Sequence, residues 1–156
     1  MTDTLDALPA HLADLTHGEH MLLWGFRAAA FGRGGCALVR RQFDDSCGAV
    51  SHEALTALGV FVRELGKLGR RKVTLCVPGS YRLSRDEQLI LAVFGAAQAE
   101  EYGRLDAHLV WLTADSPQPP FAAAACLVAQ CFAMSGLILR LPAIVEAPPS
   151  PRCPKI

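Results

Sequence analysis

His17 and His20 stand three residues apart with Glu19 between them. On a helix that spacing puts both imidazoles on one side of the cylinder, within reach of a single metal ion. A competing reading uses the same residues. Thr16-His17-Gly18-Glu19 fits a capping box, in which the Thr16 oxygen takes the third amide and Glu19 reaches back to the Thr16 amide. That occupies Glu19 and leaves His17 and His20 as two solvated side chains of an exposed first turn. A second constellation lies in Pro78-GSYRL-Ser84, a loop that leads into a helix start and carries Arg82. Arg82 and Ser84 are the candidates for holding an anion there. Ser84-Arg85-Asp86-Glu87 is itself a capping box, which competes for the same amides.

Other chemistry-bearing residues read as structural. The six cysteines, at 36, 47, 76, 126, 131 and 153, contain no C-x-x-C pair, so neither a thioredoxin-like nor a zinc-ribbon pattern is present. Cys36 and Cys47 on one helix would sit about 16 Å apart, too far for a shared metal or a disulfide. Cys126 and Cys131 point about 140° apart, as small apolar fillers do. Asp44-Asp45 and Glu100-Glu101 are adjacent in sequence, and helix neighbours do not face each other, so neither is a proton-sharing dyad. Gly32-Arg33-Gly34-Gly35 lacks the Lys-Ser/Thr of a phosphate-binding loop and reads as a helix connector.

The elements that position these residues are mostly helical. A short helix precedes residue 15. Helices follow from 17 to about 31, stopped by Gly32, from 36 to 46, ended by Gly48, and from Ser51, where Leu55, Leu58, Val62 and Leu65 make one apolar face. Lys72-VTLC-Val77 is short and rich in β-branched residues, and reads as a strand. The Ser84 box opens a helix that runs to about Tyr102, closed by Gly103. Residues 105–113 fit a helix better, with Leu105, Leu109 and Leu112 in phase, although His108-LVWL-Thr113 also reads as a buried strand. The fold expected is mainly α, five to six helices with one short strand at 72–77. The alternative is a small α/β protein with one βαβ unit over 72–113. Residues 1–141 make one helical domain, 142–156 a proline-rich disordered tail, and no internal repeat is evident.

Net charge is zero, which gives no electrostatic footprint for nucleic acid. The basic cluster Arg63, Lys67, Arg70, Arg71 and Lys72 reads as a solvated helix end. Met1-TDTLDALPAH lacks a basic n-region and an apolar h-region, so a secretory leader is not expected, and the free cysteines then fit a reducing cytoplasm.

Apolar residues make up 51% of the chain and charged ones 19%, a balance that favours self-association. The extreme case is Phe121-AAAACLVAQCFAMSGLI-Leu139, which carries no charge. As one helix it would reach about 28 Å, near bilayer thickness. Six alanines gain little in lipid, Gln130 would need a partner there, and flanking anchors are poor, so a buried or interface helix is the preferred reading. Ala125, Ala129, Ala133 and Gly136 form a small-residue ridge on which a second helix can pack closely. A domain this small would not enclose such a helix alone, which predicts a homo-oligomer, most simply a two-fold dimer.

Phe26-Arg27 at the end of the early apolar helix, the Leu55-to-Leu68 helix, the segment running into Pro78 and the Tyr81-RLSRDE-Gln88 helix start together resemble a family of small uncharacterised alphaproteobacterial proteins, a domain of unknown function. The likeness spans about residues 17–140. It implies a bacterial, mostly helical protein and no particular activity. Where that family has a cysteine cluster this chain has Gly79-Ser80-Tyr81, so no thiol role carries over. The function expected is a non-catalytic helical module that self-associates or binds a protein or apolar partner, without cofactor. The alternatives are a metal- or cofactor-binding protein or enzyme built on His17, His20 or the 78–84 loop, and a small membrane-attached protein.

Overall fold

The computed structural model describes residues 9–68, 72–77, 79–114 and 119–141. The helix expected before residue 15 falls partly outside them, as do Arg70 and Arg71 of the basic cluster, Pro78, most of the 115–120 break and the whole 142–156 tail. Six helices follow one another: α1 (His17–Ala30), α2 (Ala37–Cys47), α3 (Ser51–Leu68), α4 (Arg85–Gln98), α5 (Tyr102–Thr113) and α6 (Pro119–Met134). The protein is mainly α. Residues 102–113 being helical removes the βαβ alternative.

The strand expected at 72–77 does not form. The segment is extended, but β pairing among the described residues is limited to one isolated antiparallel bridge, His11 with Arg82. Carboxylates of α4 take the place of a partner strand. The Thr74 amide donates to Asp86 Oδ2 at 2.7 Å and the Cys76 amide to Glu87 Oε2 at 3.0 Å. The Ser84 hydroxyl donates to the Thr74 carbonyl at 2.6 Å. Alternation of β-branched residues reports an extended backbone; it does not report what satisfies that backbone.

Four phenylalanines from four helices meet at the centre. Phe61 of α3 lies 6.1 Å from Phe26 of α1, 4.8 Å from Phe94 of α4 and, stacked, 4.6 Å from Phe121 of α6. Aromatic pairs at these separations add about 0.5–1.5 kcal/mol each beyond area burial. Phe43 of α2 packs edge-on against Phe132 of α6 at 6.0 Å. It also lies over Gly25, where a Cβ would come within 2.7 Å of the Phe43 ring, so α1 and α2 approach as closely as they do because residue 25 has no side chain.

The enclosed helix is α4, not α6. Every residue from Ile90 to Ala97 is buried. By contrast α6 buries Phe121, Ala124, Ala125, Val128, Ala129, Cys131 and Phe132 and exposes the opposite side. It is also shorter than its uncharged sequence suggests. The Gly136 amide donates to Ala133 O and the Leu137 amide to Phe132 O, a Schellman cap with Gly136 at φ +77°. Residues 137–141 then run on as an extended segment. No helix among the described residues is long and apolar enough to cross a membrane.

The structure also reveals a repeat that the sequence hides. Three helices and an extended segment occur twice, α1–α2–α3 with 72–77 and α4–α5–α6 with 137–141. Thr16 and Glu19 of the first capping box stand 68 residues before Ser84 and Glu87 of the second. The same offset relates Leu22 to Ile90, Leu23 to Leu91, Phe26 to Phe94 and Ala28 to Ala96, all buried. It also relates the two helix ends. Gly32 and Arg33 close α1 with the bonds by which Glu100 and Glu101 close α4. Glu100 holds φ +60° without being glycine, which is why the sequence pattern places this helix end several residues late, at Tyr102.

Candidate functional site

Each capping box receives the extended segment of the other half. At α4, Glu87 accepts the Ser84 amide at 2.9 Å, completing its box, and the Cys76 amide at 3.0 Å. Arg27, from the end of α1, donates to both Glu87 oxygens, Nε at 2.8 Å and Nη2 at 2.9 Å. Its remaining donors reach the Ser80 and Arg82 carbonyls at 3.0 and 2.8 Å. Both side chains are sealed from water, with 3% and 0% exposed.

At α1 the same plan recurs. Glu19 accepts the Thr16 amide at 3.0 Å and the Arg140 amide at 2.8 Å. The Thr16 hydroxyl donates to the Ile138 carbonyl at 2.7 Å. In both docks the N-cap hydroxyl therefore holds a carbonyl, and the box glutamate holds the amide two residues on. The arginine differs in origin. Here it belongs to the docked segment, with Arg140 Nη2 on Glu19 at 2.6 Å and on the Asp14 carbonyl at 2.7 Å, and half of its side chain stays exposed. Gln98 of α4 grips the segment from the other side, donating to Leu137 O at 3.0 Å and accepting from the Leu139 amide at 2.8 Å. Two glycines make the space. A Cβ on Gly95 would lie 2.2 Å from Arg140 O, and one on Gly18 would lie 3.0 Å from Ile138 O.

Burial pushes the Glu87 carboxyl up, but the Arg27 hydrogen bonds and the Ser84 and Cys76 amides outweigh it and hold the group below its ordinary value of 4.5. Glu19 is lowered in the same way against burial, by the Arg140 hydrogen bonds and the Thr16 and Arg140 amides. Carboxylates saturated with donors and kept ionised are poor proton carriers, so these two centres are suited to holding the chain and not to acid–base chemistry.

The candidate residues of the sequence fall in several places. His17 and His20 are exposed on the first turn of α1, and no group of three or more metal-ligating side chains occurs among the described residues. Arg82 is exposed while its backbone serves Arg27 and Ser80. The Ser84 hydroxyl is committed twice, accepting from the Glu87 amide at 3.0 Å and donating to Thr74 O. Of the small-residue ridge, Ala125 and Ala129 are buried within the chain, Ala133 is exposed, and Gly136 is the helix cap. An open charged cleft between α2 and α3 is lined by Arg40, Arg41, Asp44, Asp45, Ser51 and His52, with the Ser51 hydroxyl bound to Asp44.

Sequence reasoning missed Arg27, Arg140, Gln98 and Cys36. The first three act across 60, 121 and about 40 residues, so no local pattern marks them. Cys36 carried a readable signal: a cysteine after a glycine run, at a helix start, between Arg33 and Arg40. It is the exposed N-cap of α2. Its thiol makes no capping hydrogen bond, yet the amides of Leu38 and Val39, then Arg33 and Arg40, pull its pKa down. Compared with known proteins, the chain matches no family model, no curated protein and no solved structure.

Proposed function

We propose that the protein is a non-catalytic helical module that pairs with a second copy of itself through the outer faces of α5 and α6. The observation that carries this reading is Trp111, 70% exposed on a mostly apolar helical face flanked by Arg104 and Asp106. Gly103, Ala107, Val110, Trp111 and Ala114 are all exposed and recur at helical spacing along α5. On α6 the exposed line is Ala123, Leu127, Gln130 and Met134, and the helix contains no ionisable acid or base beyond its cysteines. The two faces lie on neighbouring helices, since α5 and α6 are in contact. A two-fold contact sets a patch against itself, so any charge in it meets its own like; a nearly uncharged patch suits that geometry.

This moves the expected contact from the Ala125–Ala129 ridge to the far side of the same helix. A bacterial origin and a cytoplasmic location, with Cys36, Cys47, Cys76, Cys126 and Cys131 as free thiols, belong to the same proposal. Sedimentation of the full chain tests it. The wild type is expected to sediment as a dimer, and Trp111→Glu with Leu127→Glu as a monomer of unchanged helicity. A wild type that stays monomeric at high concentration sinks the reading.

A further inference from the structure

We infer that the groove between the start of α1 and the end of α4 is an exchangeable receptor for the 137–140 segment, and that it accepts this segment from a second copy of the chain. Every backbone polar group that the groove reads is read by a side chain and not by another strand. Gln98 takes Leu137 O and the Leu139 amide, the Thr16 hydroxyl takes Ile138 O, and Glu19 takes the Arg140 amide. Extended-peptide receptors work in this way, with the main chain supplying affinity and one anchored side chain supplying specificity. The anchor here is Arg140 on Glu19, and Gly18 and Gly95 leave the space in which the segment lies.

Release is built into the connection. The segment leaves α6 through Gly136, at φ +77° with nothing within 4 Å of where its Cβ would be. Among its side chains only Leu139 is buried, while Ile138 and Arg140 face solvent. Leu139 sits in the core and Leu137 packs half-buried against it, so apolar burial holds the segment together with the polar contacts, but its guanidinium is half wetted, unlike that of the sealed Arg27–Glu87 dock. Donor and receptor sit on one chain, so mutual exchange closes as a two-fold dimer that uses only contacts already made within one copy. The partner chemistry follows from the present occupant: three apolar residues and an arginine in extended form. This surface is separate from the outer faces of α5 and α6.

Charge reversal tests the exchange. In Glu19→Arg the segment's own Arg140 is repelled, and in Arg140→Glu the receptor's own Glu19 repels it. Mixed, the two full-length chains can exchange segments so that Arg140 of one meets Glu19 of the other, and the reversed pair meets as well. With Trp111→Glu and Leu127→Glu added to both chains to remove outer-face pairing, native mass spectrometry of the mixture is expected to show the mixed dimer at least tenfold above either same-chain dimer. A random mixture overturns the inference, and so does a mixture that stays monomeric. The doubly reversed chain serves as the folding control. If either single variant fails to fold, a fluorescent peptide of residues 136–141 replaces it. Added to the Arg140→Gln chain, the peptide is expected to bind at least tenfold tighter than its Arg→Glu counterpart; equal binding overturns the inference.

Discussion

The two docks share a plan and differ in where their arginine comes from. At α4 the cation arrives from another helix, is sealed from water and spends its donors on Glu87, Ser80 and Arg82. At α1 it arrives on the docked segment itself and stays half exposed. An ion pair out of water cannot lose one partner cheaply, because the remaining charge is stranded in a low-dielectric site. In the α1 pair the Glu19 carboxylate is buried but the guanidinium is half open, so water can enter where Arg140 is lost and offset part of the penalty. One repeated geometry therefore yields a permanent joint and a releasable one, and solvent access at one guanidinium separates them.

Breaking the sealed joint should give the largest effect. Glu87→Gln keeps the shape and leaves Arg27 unpaired, and is expected to cost about 3–5 kcal/mol in urea denaturation. A loss below 1 kcal/mol would show that water reaches this pair and that the contrast is false. Next comes Gly95→Ala, whose new Cβ falls on the Arg140 carbonyl. Overpacking of this kind costs about 1–3 kcal/mol. Because the segment, and not the core, gives way, amide exchange is expected to accelerate at residues 137–140 and little elsewhere. Arg140→Met should cost less, about 1–2 kcal/mol, through the loss of a half-exposed charged hydrogen bond.

How much of this could be read in the chain follows from distance along it. Both capping boxes are legible because their partners lie three residues apart, and the Gly32 and Gly48 helix ends because glycine tolerates a positive φ, whereas Gly136 reads as part of the small-residue ridge and not as the cap it is. The arginines that turn those boxes into docks are not, since nothing local ties Arg27 to Glu87 or Arg140 to Glu19. The uncharged run 121–139 signals burial, yet hydropathy counts residues without saying which side of a helix meets the core. Alanine on the exposed side of α6 looks the same as Ala125 and Ala129 on the buried one. Similarly, the repeat is hidden because its halves agree at a few buried and capping positions and diverge at the rest, buried ones included. Gly18 stands opposite Asp86, and Arg27 opposite Gly95. Those exchanges are the ones that distinguish the docks, so the difference between the docks and the concealment of the repeat come from the same positions.

Acid sharpens the comparison next. Both box glutamates are lowered, so the unfolded chain binds more protons than the folded one as pH falls past the ordinary value of 4.5. The stability they contribute is present above that pH and is lost as pH drops through their folded values. In Glu87→Gln one such group is gone, and the fall in denaturation midpoint from pH 6 to pH 3 should be shallower than in wild type. An unchanged slope would mean that other groups govern the acid limb.

The smallest effect concerns the matching ends of the two halves. Gly32 and Glu100 occupy the same position of the same helix cap, at φ +79° and +60°. A side chain in that region is disfavoured by about 1 kcal/mol, which glycine avoids. Glu100→Gly should therefore stabilise the protein by about 0.5–1 kcal/mol, although glycine inside a helix destabilises it. Gly32→Glu should cost about as much as that substitution gains, since nothing lies within 4 Å of a Cβ at either glycine cap, 32 or 136, and only the backbone is at stake. Thermal melts of the two variants and of the double exchange read this directly. If Glu100→Gly is destabilising, the Glu100 side chain makes a contact that the cap comparison does not capture, and the equivalence of the two helix ends fails in energy even where it holds in geometry.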